Sequence, residues 1–188
     1  MTLSLRALSV AAVLTLGSLS GAAVIAQDAP MVGGAAMPAT NNIIENAVNS
    51  ADHTTLVAAV QAAGLVETLS GEGPFTVFAP VNAAFEALPA GTVEGLLAPE
   101  AKDQLTAVLT YHVIAGDIHA ADLVQAINDN GGEYKAATVQ GGELTFSLDG
   151  DMVKITDANG GMATVTIADV DQSNGVIHVI DAVLLPAM

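Results

Sequence analysis

The four histidines are the side chains best suited to acid–base or metal chemistry. They are His53, His112, His119 and His178. No two of them have the spacing of the helical His-x3-His pair that binds zinc. The sequence therefore predicts no metal site built on histidine.

His178 and Asp181 come nearest to part of a hydrolase relay. Residues three apart in a strand point to opposite faces of the sheet, so these two side chains cannot readily hydrogen-bond. We expect His178 to be a core or half-buried histidine with a backbone partner. An unpaired buried carboxylate is costly, so we expect Asp181 to accept donors from a neighbouring turn. Without a nucleophile–base pair, the sequence predicts no catalytic residue and no enzyme.

Three aspartates, Asp149, Asp151 and Asp157, suggest a calcium loop. An EF-hand loop that began at Asp149 would need a glycine at its sixth position and a glutamate at its twelfth. The chain has Lys154 and Gly160 there. These aspartates are therefore predicted to form turns, and we predict neither a metal nor a cofactor.

The charge balance excludes one class of partner. The 188 residues carry 20 acidic and four basic side chains, for a formal net charge of −16. Phosphate binding needs lysine and arginine to displace counterions. Nucleic acid and anionic membrane surfaces are therefore poor partners, and the acidic surface is predicted to keep the protein soluble.

The N-terminal stretch has the pattern of an export signal. One arginine precedes a long apolar run, and Val24–Ile25–Ala26 fits a signal peptidase site. We predict a signal peptide over 1–26, a flexible segment over 27–41 and one domain over 42–188. An N-terminal membrane anchor is the alternative, although glycines and serines interrupt the run. The mature protein is expected to be secreted or periplasmic, without stable membrane insertion.

The rhythm of apolar residues changes along the chain. Helical stripes are predicted in the first half at Ile43, Ile44, Ala47 and Val48, at Leu56, Val57, Val60 and Ala63, and at Leu105, Val108 and Leu109. Alternating strands with Asp-Gly and Asn-Gly turns follow, and the last segment, "NGVIHVIDAVLLP", is almost continuously apolar. Helices first and antiparallel strands later predict an α+β fold.

The stretch "FTVFAPVNAAFEALP" predicts a strand that turns sharply into a helix. Pro80 has no amide hydrogen and cannot extend the strand ladder. Asn82 is predicted to cap the new helix with its side-chain oxygen. Phe85 and Leu88 are expected to face the core together. The corner is thus predicted to be structural.

Three stretches together resemble the fasciclin (FAS1) domain family: "TVFAPVNAAFEALP", "YHVIAGD" and "NGVIHVIDAVLLP". They occur in the family's order, and the resemblance spans about 42–186. It implies N-terminal helices packed on a wedge of mostly antiparallel β-sheet. Val81 stands where the family usually has threonine. Ala115 replaces a common proline.

The resemblance also implies a candidate binding region. The family's Tyr-His motif, linked to receptor adhesion in animal members, maps onto Tyr111 and His112, with Asp117 and Ile118 close behind. The alternative is that both rings are core, because Tyr111 ends an apolar helix and His112 begins an apolar strand.

What the family implies is a secreted, non-enzymatic module for adhesion or binding at a cell surface or in an extracellular matrix. Tryptophan and tyrosine are enriched in interface hot spots, but the chain has no tryptophan and only two tyrosines. We therefore expect weak or multivalent contact with a protein or glycan. The alternative is a carrier of an apolar small ligand such as a carotenoid, held in a groove between the helices.

Overall fold

The computed structural model describes residues 29–89 and 91–187. The predicted signal peptide lies outside the described residues. Seven α-helices are described: α1 Ile43–Asn49, α2 Thr54–Ala63, α3 Val66–Ser70, α4 Asn82–Glu86, α5 Thr92–Leu97, α6 Lys102–Tyr111 and α7 Ala120–Asp129. Nine strands are described: β1 Met31–Val32, β2 Ala35–Ala36, β3 Phe75–Pro80, β4 Val113–Ala115, β5 Glu133–Ala137, β6 Glu143–Asp149, β7 Met152–Thr156, β8 Met162–Gln172 and β9 Gly175–Ile180.

Seven strands form one sheet in the order β4-β3-β9-β8-β7-β6-β5. Strands β3 and β9, the second and third in this order, are parallel, and the other neighbours are antiparallel. The sheet curls until its two edges meet. The amide of Val139, just after β5, donates to the Val113 carbonyl of β4 at 2.8 Å. The fold is α+β, as the change of rhythm predicted.

The curled sheet separates two apolar cores. Val77 and Ala79 of β3 pack with the helices on one side, while Phe78 enters the concave interior. In β9 the same alternation sends Ile177 to the helices and Ile180 to the interior. Both faces of β3 and β9 are therefore covered, which explains their nearly continuous apolar sequences.

The helical stripes were mostly predicted correctly. In α2, Leu56, Val60 and Ala63 are buried, and the helix ends at Gly64, whose φ of 75° is left-handed. Helix α1 is rotated from the expected stripe: Ile43 and Ala47 are buried, but Val48 is 55% exposed. The expectation for Val48 is wrong because its side chain lies just outside the face of α1 that is buried.

Residues 29–41 pack onto the domain, so the expectation of a flexible segment is wrong for them. Val32 and Met37 are 1% and 2% exposed. The Gly33 carbonyl accepts the amide of Ala51, and the Asn41 carbonyl accepts the amide of Ser173 at 2.8 Å. Apolar contacts and hydrogen bonds to residues distant in the sequence thus outweigh the turn-forming composition of the segment.

The corner after β3 differs from its prediction in one contact. Pro80 is the last residue of β3, and Phe85 is buried. Helix α4 begins after Val81, whose side chain makes no capping hydrogen bond. Asn82 is the first residue of α4, so its side chain is not the N-cap of that helix. It reaches the start of α2 instead, where Asn82 Oδ1 accepts the Thr55 amide at 3.0 Å.

Candidate functional site

Tyr111 and His112 end helix α6 with both rings inside the protein. Tyr111 is 0% exposed and His112 is 3% exposed. The Tyr111 hydroxyl donates to the Glu143 carbonyl at 2.8 Å and accepts the Ala158 amide at 3.1 Å. Neither ring offers a surface to a partner, so the candidate binding role inferred for these two side chains does not fit their positions.

His112 connects the helical layer to the C-terminal segment. Its Nδ1 lies 2.8 Å from the Val108 carbonyl, and its Nε2 accepts the Leu184 amide at 3.0 Å. Because the carbonyl can only accept, Nδ1 carries the proton. Because Nε2 accepts an amide, it carries none, and the ring is neutral. Burial lowers the pKa of His112 to about 4. The ring is therefore a structural linker between α6 and the segment after β9.

The loop between β4 and α7, residues 116–119, is held from the inside by two buried side chains. Thr76 Oγ1 of β3 donates to the Gly116 carbonyl at 2.7 Å and accepts the Ile118 amide at 2.9 Å. His178 Nε2 of β9 lies 2.8 Å from the Ile118 carbonyl. Thr76 and His178 are both 0% exposed. The loop backbone is thus fixed to strands β3 and β9.

The same loop is held from the outside by the bulged part of β8. Asp169 Oδ1 accepts the Ala120 amide at 2.7 Å, and Asp171 Oδ1 lies 3.0 Å from His119 Nε2. Asp169 has a φ of 55° and is the one non-glycine residue of the described chain with positive φ. Such conformations are costly for side chains other than glycine. The bulge therefore turns its carboxylates towards the start of α7.

Clamping the backbone leaves side chains of the loop available to solvent. The Asp117 side chain is 49% exposed, and Ile118 is half-buried. Asp117 also lines an open depression of about 560 Å³ at the start of β3 and β9. The other lining residues are mainly polar or glycine: Asn42, Ser70, Gly71, Glu72, Gly73, Pro74, Gln172, Ser173, Asn174 and Gly175. This loop and depression form the candidate binding site.

His178 and Asp181 use separate partners. The His178 ring stacks on Phe78 with centroids 5.4 Å apart, and its Nδ1 accepts the Asp169 amide at 3.4 Å. Asp181 is exposed and follows β9, and its Oδ1 accepts the Thr164 amide of β8 at 2.6 Å. The expected donor from a turn is therefore a donor from a strand. A premise of the prediction for Asp181, burial, does not hold.

The sequence reasoning missed a Ser–His pair. Ser50 Oγ lies 2.9 Å from His53 Nδ1, the spacing of a nucleophile and its base. Both residues are buried, at 1% and 2% exposed, and burial lowers the pKa of His53. A Cβ at Gly33, in the β1–β2 turn, would overlap Ser50 Oγ. The pair is covered by the N-terminal hairpin, and a substrate cannot reach it.

Thr76 and Asp169 were also missed. Thr76 is the single polar residue in the apolar strand "FTVFAP", whereas Asp169 is exposed and lies among other polar residues in "TIADVDQ". A lone polar residue such as Thr76 must find hydrogen-bond partners when its strand is buried. That requirement was a usable signal, but the partner loop could not be identified without the fold.

The apolar cavities between the helices and the sheet are small. One of about 30 Å³ lies between α1, α2, α3, α6 and β3, and one of about 10 Å³ lies beside α4 and α5. The larger has room for about one water molecule. An open depression of about 330 Å³ on the helical surface is lined by Ala62, Leu97, Ala98, Lys102 and Leu105. The two internal cavities are too small to hold a carotenoid.

Of the aspartates first considered for calcium, Asp149 and Asp151 lie at the β6–β7 turn, and Asp157 lies at the turn between β7 and β8. Asp157 Oδ1 accepts the amides of Asn159 and Gly161, and Asp149 pairs with Lys154 at 2.5 Å. Among the described residues, no group of three or more His, Asp or Glu side chains is arranged to hold a metal ion. Over the same residues, each helix is too short or too polar to cross a bilayer.

Comparison with known protein families gives a match over most of the chain. The family model described as the fasciclin domain matches 51–186. The chain belongs to the fasciclin domain family. The match runs from the turn that precedes α2 to the segment that follows β9, and so includes all three strands that fix the candidate loop.

Relatives of this fasciclin domain occur in bacteria and animals. Protein sll1483 of Synechocystis is 52% identical over 158 residues, which cover 84% of this chain and 81% of that protein. Transforming growth factor-beta-induced protein ig-h3 of Sus scrofa is 40% identical over 131 residues, 70% of this chain and 17% of that protein. The solved FAS1 domain pair of the insect cell adhesion molecule fasciclin I superposes with a TM-score of 0.68 at 18% identity, covering 77% of this chain and 51% of that one. The fold is therefore the FAS1 fold.

Proposed function

We propose that this fasciclin domain is an exported, non-enzymatic binding module that attaches to a cell surface or extracellular matrix through the loop 116–119. One observation carries the proposal. Four side chains from β3, β8 and β9 hold the loop and the residue after it, while the Asp117 side chain stays 49% exposed.

A fixed loop suits binding because little conformational entropy remains to be lost when a partner is engaged. Thr76 and His178 bond the loop through its backbone groups, so they do not occupy the Asp117 carboxylate. The solved structure with the same fold is described as a cell adhesion molecule, which supports a contact role for this module.

The partner is a protein or glycan that is bound weakly or in multiple copies. The described chain offers no tryptophan or arginine to anchor a broad interface. Many weak contacts can still give strong attachment when the modules are displayed together, because each contact raises the local concentration for the next. The formal charge of −16 argues against nucleic acid.

The test compares beads coated with the protein with the soluble protein, on cell surfaces and on matrix preparations. Wild-type beads should attach, and free monomer should compete poorly. Asp117→Ala should reduce attachment several-fold. Asp129→Ala is the matched control, because Asp129 is an exposed aspartate at the far end of α7. Beads that attach nowhere, or equal losses in both variants, would contradict the proposal.

Export is proposed from the N-terminal pattern. A signal peptidase cut after Ala26 would leave a mature chain that begins at Gln27. The intact mass of the protein recovered from outside the cytoplasm checks this. A mass that still includes residues 1–26 would favour the membrane-anchor alternative.

A further inference from the structure

Two histidines hold the loop 116–119 from opposite sides. His178 reaches the Ile118 carbonyl from the interior, at 2.8 Å. His119, at the outer end of the loop, reaches Asp171 of β8 at 3.0 Å. The hydrogen bonds of the two rings make opposite demands on ring charge.

The two hydrogen bonds of the inner histidine, His178, need a neutral ring when taken together. His178 Nε2 must carry a proton to donate to the Ile118 carbonyl, and Nδ1 must be free to accept the Asp169 amide. A second proton, on Nδ1, would face that amide donor and place a charge at a site that is 0% exposed. Burial accordingly lowers the pKa of His178. Acid would therefore break the bond between Nδ1 and the Asp169 amide, on the bulge that also holds Ala120, while Nε2 can still donate to the Ile118 carbonyl.

The outer contact is strongest with a charged ring. His119 Nε2 faces Asp171 Oδ1, and His119 Nδ1 lies 3.7 Å from Asp117 Oδ1 and 4.0 Å from Asp122 Oδ2. The hydrogen bond to Asp171 and the nearby carboxylates raise the pKa of His119. Loss of the proton at higher pH removes the positive charge at the centre of these carboxylates.

The charged and titratable groups around the His119 and His178 rings lie on the loop, on α7 and on β8. They are Asp117 on the loop, Asp122 on α7, and Asp169 and Asp171 on β8. The geometry points to a pH-gated loop: residues 116–119 are held most tightly in a window of pH in which His178 is neutral and His119 is charged, and are loosened on both sides of it.

Gating concerns the protein alone, so its test does not depend on the proposed binding function. If the binding function is correct, attachment through Asp117 would change with pH in step with the loop. If beads fail to attach, the loop transitions remain measurable, and the two failures are distinguishable.

The test follows backbone amide order in isotope-labelled protein by NMR, from about pH 3 to about pH 9, a range that brackets ordinary histidine titration. The amides of Ile118 and Ala120 should be most ordered in the middle of the range and at least twofold more mobile at both ends. The acid transition should share its midpoint with the His178 ring, and the alkaline one with the His119 ring. The amide of Leu144, in the core strand β6, should not follow either transition.

Variants separate the two limbs. His119→Gln should abolish the alkaline transition and keep the acid one. Asp171→Asn should weaken the alkaline limb but leave the acid midpoint on His178, while Asp129→Asn should change neither limb. His178→Gln should abolish the acid limb; if that variant does not fold, the wild-type ring titration decides. A flat profile, an alkaline limb that persists in His119→Gln, or an acid limb that Leu144 follows would overturn the inference.

Discussion

Replacing Asn82 by alanine tests the contact that joins the β3 corner to helix α2. Asn82 Oδ1 accepts the Thr55 amide at 3.0 Å and the Thr54 hydroxyl at 3.2 Å, and its Nδ2 donates to the Ala51 carbonyl at 2.9 Å. Helix α2 has no capping side chain of its own, because His53 at its N-cap makes no such bond. Asn82 therefore caps a helix that begins 28 residues earlier.

The expected cost follows from which groups water can replace. The contacts with the Thr54 hydroxyl and the Ala51 carbonyl are exposed, so solvent can take over both bonds. The Thr55 amide is partly buried and would lose its acceptor. Losing a helix N-cap typically costs about 1 kcal/mol, and up to about 2 kcal/mol. For a domain of this size, about 1 kcal/mol lowers Tm by about 2–4 °C.

Urea unfolding measures the loss, and amide hydrogen exchange locates it. In Asn82→Ala, exchange should accelerate at Thr55 and Leu56, at the start of α2. Asn82→Asp is the matched control, because it keeps an acceptor for the Thr55 amide and should retain more of the protection. Unchanged stability, or acceleration confined to α4, would refute the assignment and restore the cap expected from the sequence.

Three further outcomes are expected. Tyr111→Phe should destabilise by about 1–3 kcal/mol in urea unfolding, because the Ala158 amide loses its acceptor. The pKa of His112 is about 4 when folded and about 6.5 when unfolded, so the unfolded chain binds the proton first and stability falls as the pH drops from about 6.5 to about 4, by at most about 3 kcal/mol. In His112→Gln, the slope of unfolding free energy against pH in this range should fall by an amount that corresponds to about one bound proton. Gly175→Ala should lower Tm sharply, because φ is +152° there and the new Cβ would overlap the Phe75 carbonyl oxygen.

The sequence predicted what local patterns determine. Stripes of Leu, Val and Ala located α2 and α6, and Gly64 marked the end of α2. The apolar run after Asn174 indicated a covered strand, which is β9. The resemblance carried by three motifs gave the α+β architecture and the family. These features depend on residues that are near each other in the chain.

What the sequence could not predict depends on contacts between distant residues. The Asn82 side chain had a plausible partner in its own helix, but a helix that begins at Thr54 lies closer to it. The exposure of Val48 depends on a rotation of α1 set by tertiary packing. The clamp on the loop 116–119 joins residues 42 and 60 positions apart, and no periodicity reports such pairs.

The hydrogen bond between Val139 and Val113 has a consequence for aggregation. An open sheet presents unpaired amides and carbonyls at each edge, and these recruit strands from other molecules. Here a hydrogen bond joins β4 to a residue just after β5, so fewer backbone groups at these edges are open to a strand from another molecule.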